Sequence, residues 1–428
     1  KPESPMGMPK LQNKGGMSMW YDATLVVTFG NITNPGTSKI KAIKDGLQVE
    51  FAKRTNVQVE KNHIGGVQSR GRVVMTQHGF IPDDKRAIAK YNNILNNLKE
   101  KPPQELNDNI MVIDAMNTLI RSFSLLKAMN PDGYHIGGLV GFLRSLGFLV
   151  RTFEPSRVLI IWDGKGGSAN RQNINPDYKA QRANTKITHW GLYDTKAEET
   201  EALIGQLNRL RDYLDCLPVQ QIMMEKLEAD DIMAYIGKQA SISNVKKLTI
   251  VSSDKDFMQL VDDTVEVYAP IKKTLYTKEN IKDALQVVPE NYNLVKALLG
   301  DNSDNLKGVK GLGIKTIISE FPKVVSDPNT DLNYVFEVCE KNIEGKKIFS
   351  KIINEWTKVE NNFEIMNLHE TVLDDKEKNH ILEVMKGPIP DLQAGAFLHL
   401  LDNDKIEGIT KNTEGWLETF RKLTVYKR

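Results

Sequence analysis

IMVIDAMN at residues 110–117 sets the fold. The run from Ile110 is apolar, ends in the carboxylate of Asp114 and is followed by a helical stretch. RVLIIWDG (157–164) repeats the plan with Asp163, and KLTIVSSD (247–254) repeats it with Asp254. VQQIMM (219–224) is a further strand, and a helix is expected to begin at Glu228. Helical stretches at 137–153 and about 196–214 separate the strands. Strands alternating with helices imply a parallel α/β sheet with right-handed crossovers. Ligands bind beyond the carboxyl ends of such strands. One Asp in that position is usually a helix N-cap; three delivered to one edge favour a shared site.

More carboxylates join this edge. KLEADDIMAY (226–235) places Glu228, Asp230 and Asp231 at a helix start, SSDKDF (252–257) adds Asp256, and GDNSDN (300–305) adds Asp301 and Asp304. Carboxylates at a helix N-terminus are ordinary by themselves; here they lie within a strand–helix series. So many acids in one pocket repel unless cations neutralise them. Oxygen donors without His or Cys suit hard ions, magnesium or manganese, rather than zinc. Two such ions can activate a water and stabilise the leaving oxygen of a phosphodiester.

Basic groups stand beside the acids. NRQNINPDYKAQRANTK (170–186) carries Arg171, Lys179, Arg182 and Lys186 against the single acid Asp177. Following directly on Asp163, these cations are placed to bind a scissile phosphate. Tyr178 offers a ring for stacking on an unpaired base. In NLKGVKGLGIKT (305–316), Gly308, Gly311 and Gly313 permit a tight turn between helices. Backbone N–H groups there, with Lys310, Lys315 and Thr316, can bind a phosphate.

The flanks say less. Over 428 residues the net charge is +2, but residues 1–105 hold 16 Lys/Arg against 9 Asp/Glu, a balance of +7, which leaves −5 for the rest. Residues 1–18 are expected to be disordered. A strand at 23–31, a helix at 37–53, an edge strand at 57–60, a strand at 72–76 and an amphipathic helix at 83–99 suggest a small α+β unit, followed by a polar linker at 101–109. KPESPMGMPK (1–10) has no signal-peptide core, and the absence of an initiator Met leaves room for residues upstream. No apolar run is long enough for a membrane span. Two distant cysteines, Cys216 and Cys339, fit neither a disulfide framework nor a zinc site, and a cytoplasmic location is expected.

In order, VIDAMN (112–117), WDG (162–164), Arg171 through YKAQR to Arg182, EADD (228–231), SSDKDF (252–257) and GDNSDN-LKGVKGLGIKT (300–316) resemble the 5′-nuclease family. That family includes flap endonucleases, the 5′-nuclease domain of bacterial DNA polymerase I and phage replication nucleases. The resemblance covers about 109–325. NNFEIMNLHETVLDDKEKNHILEVM (361–385) is similar to the C-terminal helices of T-even phage ribonuclease H. Leu306 stands where the family has Pro, and residues 1–105 match nothing in the family. The resemblance implies a PIN-like, twisted, mostly parallel sheet flanked by helices. With it come a helix–three-turn–helix DNA-binding region and C-terminal helices; the small N-terminal α+β unit rests on its own strand and helix patterns instead. The implied domains are an accessory unit at 1–105, a catalytic domain at 109–290 with an arch at about 165–192, and a helical part at 291–428.

Roles follow from the same resemblance. Asp114, Asp163, Glu228 and Asp230 would form a first metal site with Asp231 close by. Asp254, Asp256, Asp301 and Asp304 would form or support a second. The two ions would be Mg²⁺, with Mn²⁺ as a substitute, and a K⁺ ion is frequent at the glycine hairpin. Arg171, Lys179 and Arg182 would sit in the arch that admits a 5′ strand. Implied partners are branched or nicked DNA and RNA–DNA primer junctions. A single-strand-binding protein or sliding clamp is a further expected partner, and the host cytoplasm is the expected location if the chain is phage-encoded. A PIN-type ribonuclease and a non-catalytic, structure-specific DNA-binding protein are the rival readings.

Overall fold

The computed structural model describes residues 25–30, 39–44, 47–62, 70–76, 79–89, 108–181, 187–189, 191–243, 245–370, 372–407, 409–410 and 412–426. The chain divides into two compact units, Lys1–Pro102 and Pro103–Arg428. The expected disorder over 1–18, most of the helix at 83–99 and most of the linker at 101–109 lie outside the described residues.

In the first unit β1 (Leu25–Gly30), β2 (Lys39–Lys44), β3 (Leu47–Asn62), β4 (Arg70–Thr76) and β5 (Gly79–Pro82) form one antiparallel sheet, and residues 85–89 are helical. Among the described residues Ile40, Ala52 and Val74 form its buried apolar cluster, with Ile81 and Ile88 packed against them. Two expectations fail here. Within 37–53 the described residues belong to β2 and β3, an antiparallel pair and not a helix, and pairing runs down to Lys44↔Leu47. The overlooked signal is Asp45-Gly46, the dipeptide that two-residue hairpins favour. Nor is 57–60 an edge: β3 is central, with Val57 opposite Phe29 on one side and Gly71 on the other.

The second unit holds a six-stranded sheet of β6 (Asn109–Asp114), β7 (Arg157–Trp162), β8 (Gln220–Met223), β9 (Lys247–Val251), β10 (Val265–Ala269) and β11 (Thr274–Tyr276). Their spatial order is β11-β10-β9-β6-β7-β8. All neighbours are parallel except the β10–β11 hairpin, which the sequence reading had not anticipated. Both faces are buried, which explains the unbroken apolar runs. Ile110, Val112, Leu159 and Ile161 join the core on one face; Met111, Ile113, Val158 and Ile160 join it on the other. From β6 the chain builds β7 and β8 to one side, then returns past β6 to build β9 and β10. That reversal opens a crevice at the carboxyl ends of the strands.

The crossovers are α1 (Ala115–Leu125), α2 (Gly137–Phe153), α3 (Ala169–Ile174), α4 (Lys196–Asp215) and α5 (Ala229–Ser241). Helix α4 starts with a Thr195/Glu198 capping box. After α6 (Ile281–Leu285) comes α7 (Tyr292–Leu299), a two-residue ladder of β12 (Gly300–Asp301) and β13 (Leu306–Lys307), and α8 (Ile314–Glu320), the helix–three-turn–helix region. Helices α9 (Pro322–Ser326), α10 (Leu332–Lys341), α11 (Lys347–Asn354), α12 (Trp356–Met366), α13 (Asp375–Lys386), α14 (Ala394–Asn403) and α15 (Thr413–Arg421) complete the chain. Leu306 is 1% exposed and packs in the core, so the missing proline leaves an apolar anchor in its place. Among the described residues no helix is long and apolar enough to cross a membrane.

Since the second unit carries both faces of the parallel sheet, residues 106–428 alone are expected to unfold in one cooperative thermal transition followed by circular dichroism. An insoluble or non-cooperative fragment would show that its core needs the first unit.

Candidate active site

The crevice is built from strand ends and one helix start. Asp114 closes β6 and caps α1, its carboxylate accepting the Asn117 N–H at 3.0 Å and the Ser252 hydroxyl at 2.9 Å. Asp163 follows β7 and accepts the Ala229 N–H at 2.8 Å, which ties it to the start of α5. Asp230 lies in that first turn, and Asp254 follows β9. These groups feel one another. Burial foremost, with the charges of Asp163 and Asp254, raises the Asp114 carboxyl to about 7. Burial and then the Asp254 charge push Asp230 well above the usual carboxylate range. Carboxylates forced together in this way suit a hard cation, which would favour their ionised forms. Among the described residues, no three His, Cys, Asp or Glu side chains yet converge as a finished cage.

Glu228 has a different part. It precedes α5, is 3% exposed, and receives the Ser168 hydroxyl at 2.7 Å, Arg171 Nη1 at 2.7 Å, the Tyr178 hydroxyl at 3.0 Å and Lys179 Nζ at 2.8 Å. Burial opposes its charge, but Lys179 and then Arg171 hold it at about 2. Arg171 also donates to both Asp231 oxygens at 2.9 and 2.8 Å, and through Nε to the Ile365 carbonyl at 2.9 Å. Glu228 and Asp231, expected at the first metal site, therefore face protein cations.

Two further expectations are corrected. Arg171 is buried, with every nitrogen engaged, and does not stand open to a phosphate. Tyr178 is 2% exposed, so its ring presents no stacking surface to a base. Of the expected arch cations, Arg171 and Lys179 are described, both against the acids; Arg182 and Lys186 lie outside the described residues. Lys179 adopts a left-handed backbone, φ 55°. Its N–H donates to the Asp304 carbonyl at 3.0 Å, and its ammonium lies 4.8 Å from the Tyr178 ring centre. Burial lowers its affinity for the proton, yet Asp230, Glu228 and Asp304 together raise it.

Asp256 and Asp301 share a cation that sequence reasoning missed. Lys296, on α7 and 7% exposed, pairs with Asp256 and lies 2.6 Å from Asp301. Burial opposes the Asp301 charge, but Lys296 and the Ser303 donors hold it at about 2. The signal was a lone Lys inside the apolar run NLVKALL (293–299). Tyr292 was also missed; burial first, then Asp301 and Asp254, push its hydroxyl up to about 12.

The hairpin is tightly seated. A Cβ on Gly308 would meet the Leu299 carbonyl at 2.1 Å, and Gly311 has φ +87°. Lys310 and Lys315 are exposed. Gly313 precedes α8, and the Thr316 N–H donates to its carbonyl at 2.9 Å, so that amide is not available to a phosphate.

Crowded carboxylates beside buried lysines suit hydrolysis of a phosphodiester, and the chain's relatives place it in that class, the metal-dependent nucleases. Residues 109–295 match the 5′-3′ exonuclease, N-terminal resolvase-like domain. The 5′-3′ exonuclease of Bacillus subtilis (strain 168) is 34% identical over 221 residues, 49% of this chain and 68% of its own. That of Aquifex aeolicus (strain VF5) is 28% identical over 226 residues, 53% of this chain and 73% of its own. DNA polymerase I of Lactococcus lactis subsp. lactis (strain IL1403) is 29% identical over 230 residues, 51% of this chain and 24% of its own. The crystal structure of T5 D15 protein, co-crystallised with metal ions, shares the fold. Its TM-score is 0.51 at 18% identity, over 69% of this chain and 99% of its own. The chain belongs to the 5′-3′ exonuclease family.

Arg171→Ala strands the buried Asp231 carboxylate, takes one donor from Glu228 and is expected to cost about 3–5 kcal/mol of stability, read by urea unfolding. Lys179→Ala should cost less, because Glu228 keeps Ser168, Arg171 and Tyr178. Equal losses for the two would contradict the division between anchor and reactive lysine.

Proposed function

We propose that this exonuclease removes 5′ ends from flaps, nicks and RNA-primed duplexes during DNA replication, using two Mg²⁺ ions, with Mn²⁺ as a substitute. The observation that carries it is the pairing of opposites. Asp114 and Asp230 are held above their usual range by burial and by Asp163 and Asp254. Lys179 stands next to them on Glu228. Bound divalent ions would supply Lewis-acid stabilisation of the phosphodiester and a more acidic water.

The chain's own residues do the rest. Asp114, Asp163, Asp230 and Asp254 are the donors for the ions. Asp256, Asp301 and Asp304 support the second position, with Lys296 balancing the charge of the first two. Lys179, rather than Arg171, meets negative charge developing on the scissile phosphate. Glu228 and Tyr178 hold that lysine until substrate arrives. Exposed Lys310 and Lys315 contact phosphates of the downstream duplex, which gives recognition of shape rather than sequence.

The accessory unit at 1–105, the catalytic domain at 109–290 with its arch and the helical part at 291–428 belong to this proposal. The basic first unit adds non-specific DNA affinity or docks a replication partner, such as a single-strand-binding protein or sliding clamp. A cytoplasmic site of action accords with the two free cysteines.

Asp114→Ala and Asp163→Ala are expected to abolish magnesium-dependent cleavage of a 5′-flap substrate while leaving DNA binding intact. Near-normal turnover in either would remove these residues from the metal site. Lys315→Ala should weaken duplex binding and make its salt dependence shallower by about one unit, by titration of affinity against salt. An unchanged slope would take Lys315 off the phosphate.

A further inference from the structure

The family resemblance implies a potassium ion at the glycine hairpin, but the carbonyls that would hold it already have donors. Asn362 Nδ2 donates to the Lys307 carbonyl at 3.1 Å, Lys358 Nζ to Gly308 at 3.0 Å, and Lys351 Nζ to Lys310 at 3.5 Å. The Val309 carbonyl accepts the Leu312 N–H at 3.1 Å, and Gly313 accepts those of Thr316 and Ile317. Two of these donors are full positive charges. A potassium ion on the same oxygens would sit within about 4–5 Å of an ammonium, a like-charge contact that the single carboxylate of Glu355, already paired with Lys358, offsets only in part.

The two lysines are held in place by the fold. Lys358 and Asn362 are one turn apart on α12 and so share a face. Asn362 is 1% exposed and also donates to the Ala297 carbonyl at 3.1 Å, which keys α12 to α7. Glu355 pairs with the Lys358 ammonium from the preceding turn and fixes its direction. Lys351 lies over the turn itself: a Cβ on Gly311 would meet its Nζ at 3.7 Å. An ammonium on a carbonyl is a charge-assisted hydrogen bond, stronger than a neutral one. It also brings to the hairpin the positive charge that a bound ion would bring.

We propose that Lys358 and Lys351 are the hairpin's built-in cations, holding in place of a monovalent ion the backbone that presents Lys310 and Lys315 to duplex DNA. They are positioning residues: they act through the hairpin rather than on the reacting phosphate. The proposal rests on the reading of the hairpin as the duplex grip, and it departs from the family expectation of an ion there.

The test is fluorescence anisotropy of the full chain with a nicked DNA duplex, divalent ions chelated, at equal ionic strength in potassium, sodium or tetramethylammonium chloride. The wild-type chain is expected to bind equally in all three, and this arm does not depend on any variant folding. Lys358→Met, checked by thermal melting, should bind roughly tenfold more weakly in tetramethylammonium. Lys358→Arg, which keeps a charged donor, should retain affinity. Stronger wild-type binding in potassium than in tetramethylammonium overturns the proposal, as does a Lys358→Met chain that binds like the wild type. If Lys310→Ala and Lys315→Ala together leave duplex binding unchanged, the duplex-grip reading fails instead, and the built-in cations lose the task assigned to them.

Discussion

The carboxylate of Glu228 is the joint on which the site depends. Four donors converge on it, from Ser168, Arg171, Tyr178 and Lys179, and each comes from the segment between β7 and α4. Without that carboxylate the segment would keep only the Arg171–Asp231 pair to fix it to α5, whose first turn carries Asp230 and Asp231 and whose Ala229 N–H holds Asp163. Arg171 extends the joint outward: its Nε reaches Ile365 at the end of α12, so the catalytic edge and the C-terminal helices are positioned together. A buried ion network of this kind is weak evidence of net stability. What it supplies is a single arrangement, since any other leaves a buried charge without its partner.

The same physics sorts the acidic residues into two sets. Glu228, Asp231, Asp256 and Asp301 have protein cations beside them, and Glu228 and Asp301 are held as anions down to about 2. Asp114 and Asp230 are raised instead, by burial and by neighbouring carboxylates. The first set builds the walls. The second carries electrostatic cost that the protein leaves in place, and a raised carboxyl in a crevice is the mark of a group kept for ligands or chemistry. Sequence shows all nine carboxylates alike; their division appears only once Arg171 and Lys296 have positions.

That is why the fold was more legible than the site. Unbroken apolar strands ending in Asp, spaced by helices, determine a parallel sheet and its functional edge, because burial on both faces and right-handed crossovers leave few alternatives. The glycine hairpin was legible for a similar reason: Gly308 backs against Leu299 and no other residue fits. Long polar side chains are harder to read. Arg171 and Tyr178 look like substrate contacts in a basic stretch, yet both turn inward, since a buried glutamate is a better partner for them than water. Lys296 looks like an ordinary helix residue until Asp256 and Asp301 are brought around it. In the first unit, helix-like spacing over 37–53 misled because hairpin pairing from Lys44↔Leu47 upward outweighs weak local preference.

A common device recurs at the crevice and at the glycine hairpin. Lys296 between Asp256 and Asp301, and Lys358 on the Gly308 carbonyl, are both ammonium groups carried on helices to protein oxygens. A lysine is a compact point charge with three donors. Tethered to its helix, it is present at every concentration of salt, whereas a free ion must be recruited from solution. The exchange has a limit: an ammonium cannot polarise a phosphoryl oxygen and activate a water as a divalent ion does. Around Asp114 and Asp230 much of the repulsion remains: Lys179 relieves part of the charge on Asp230, yet burial and Asp254 still hold that carboxyl raised.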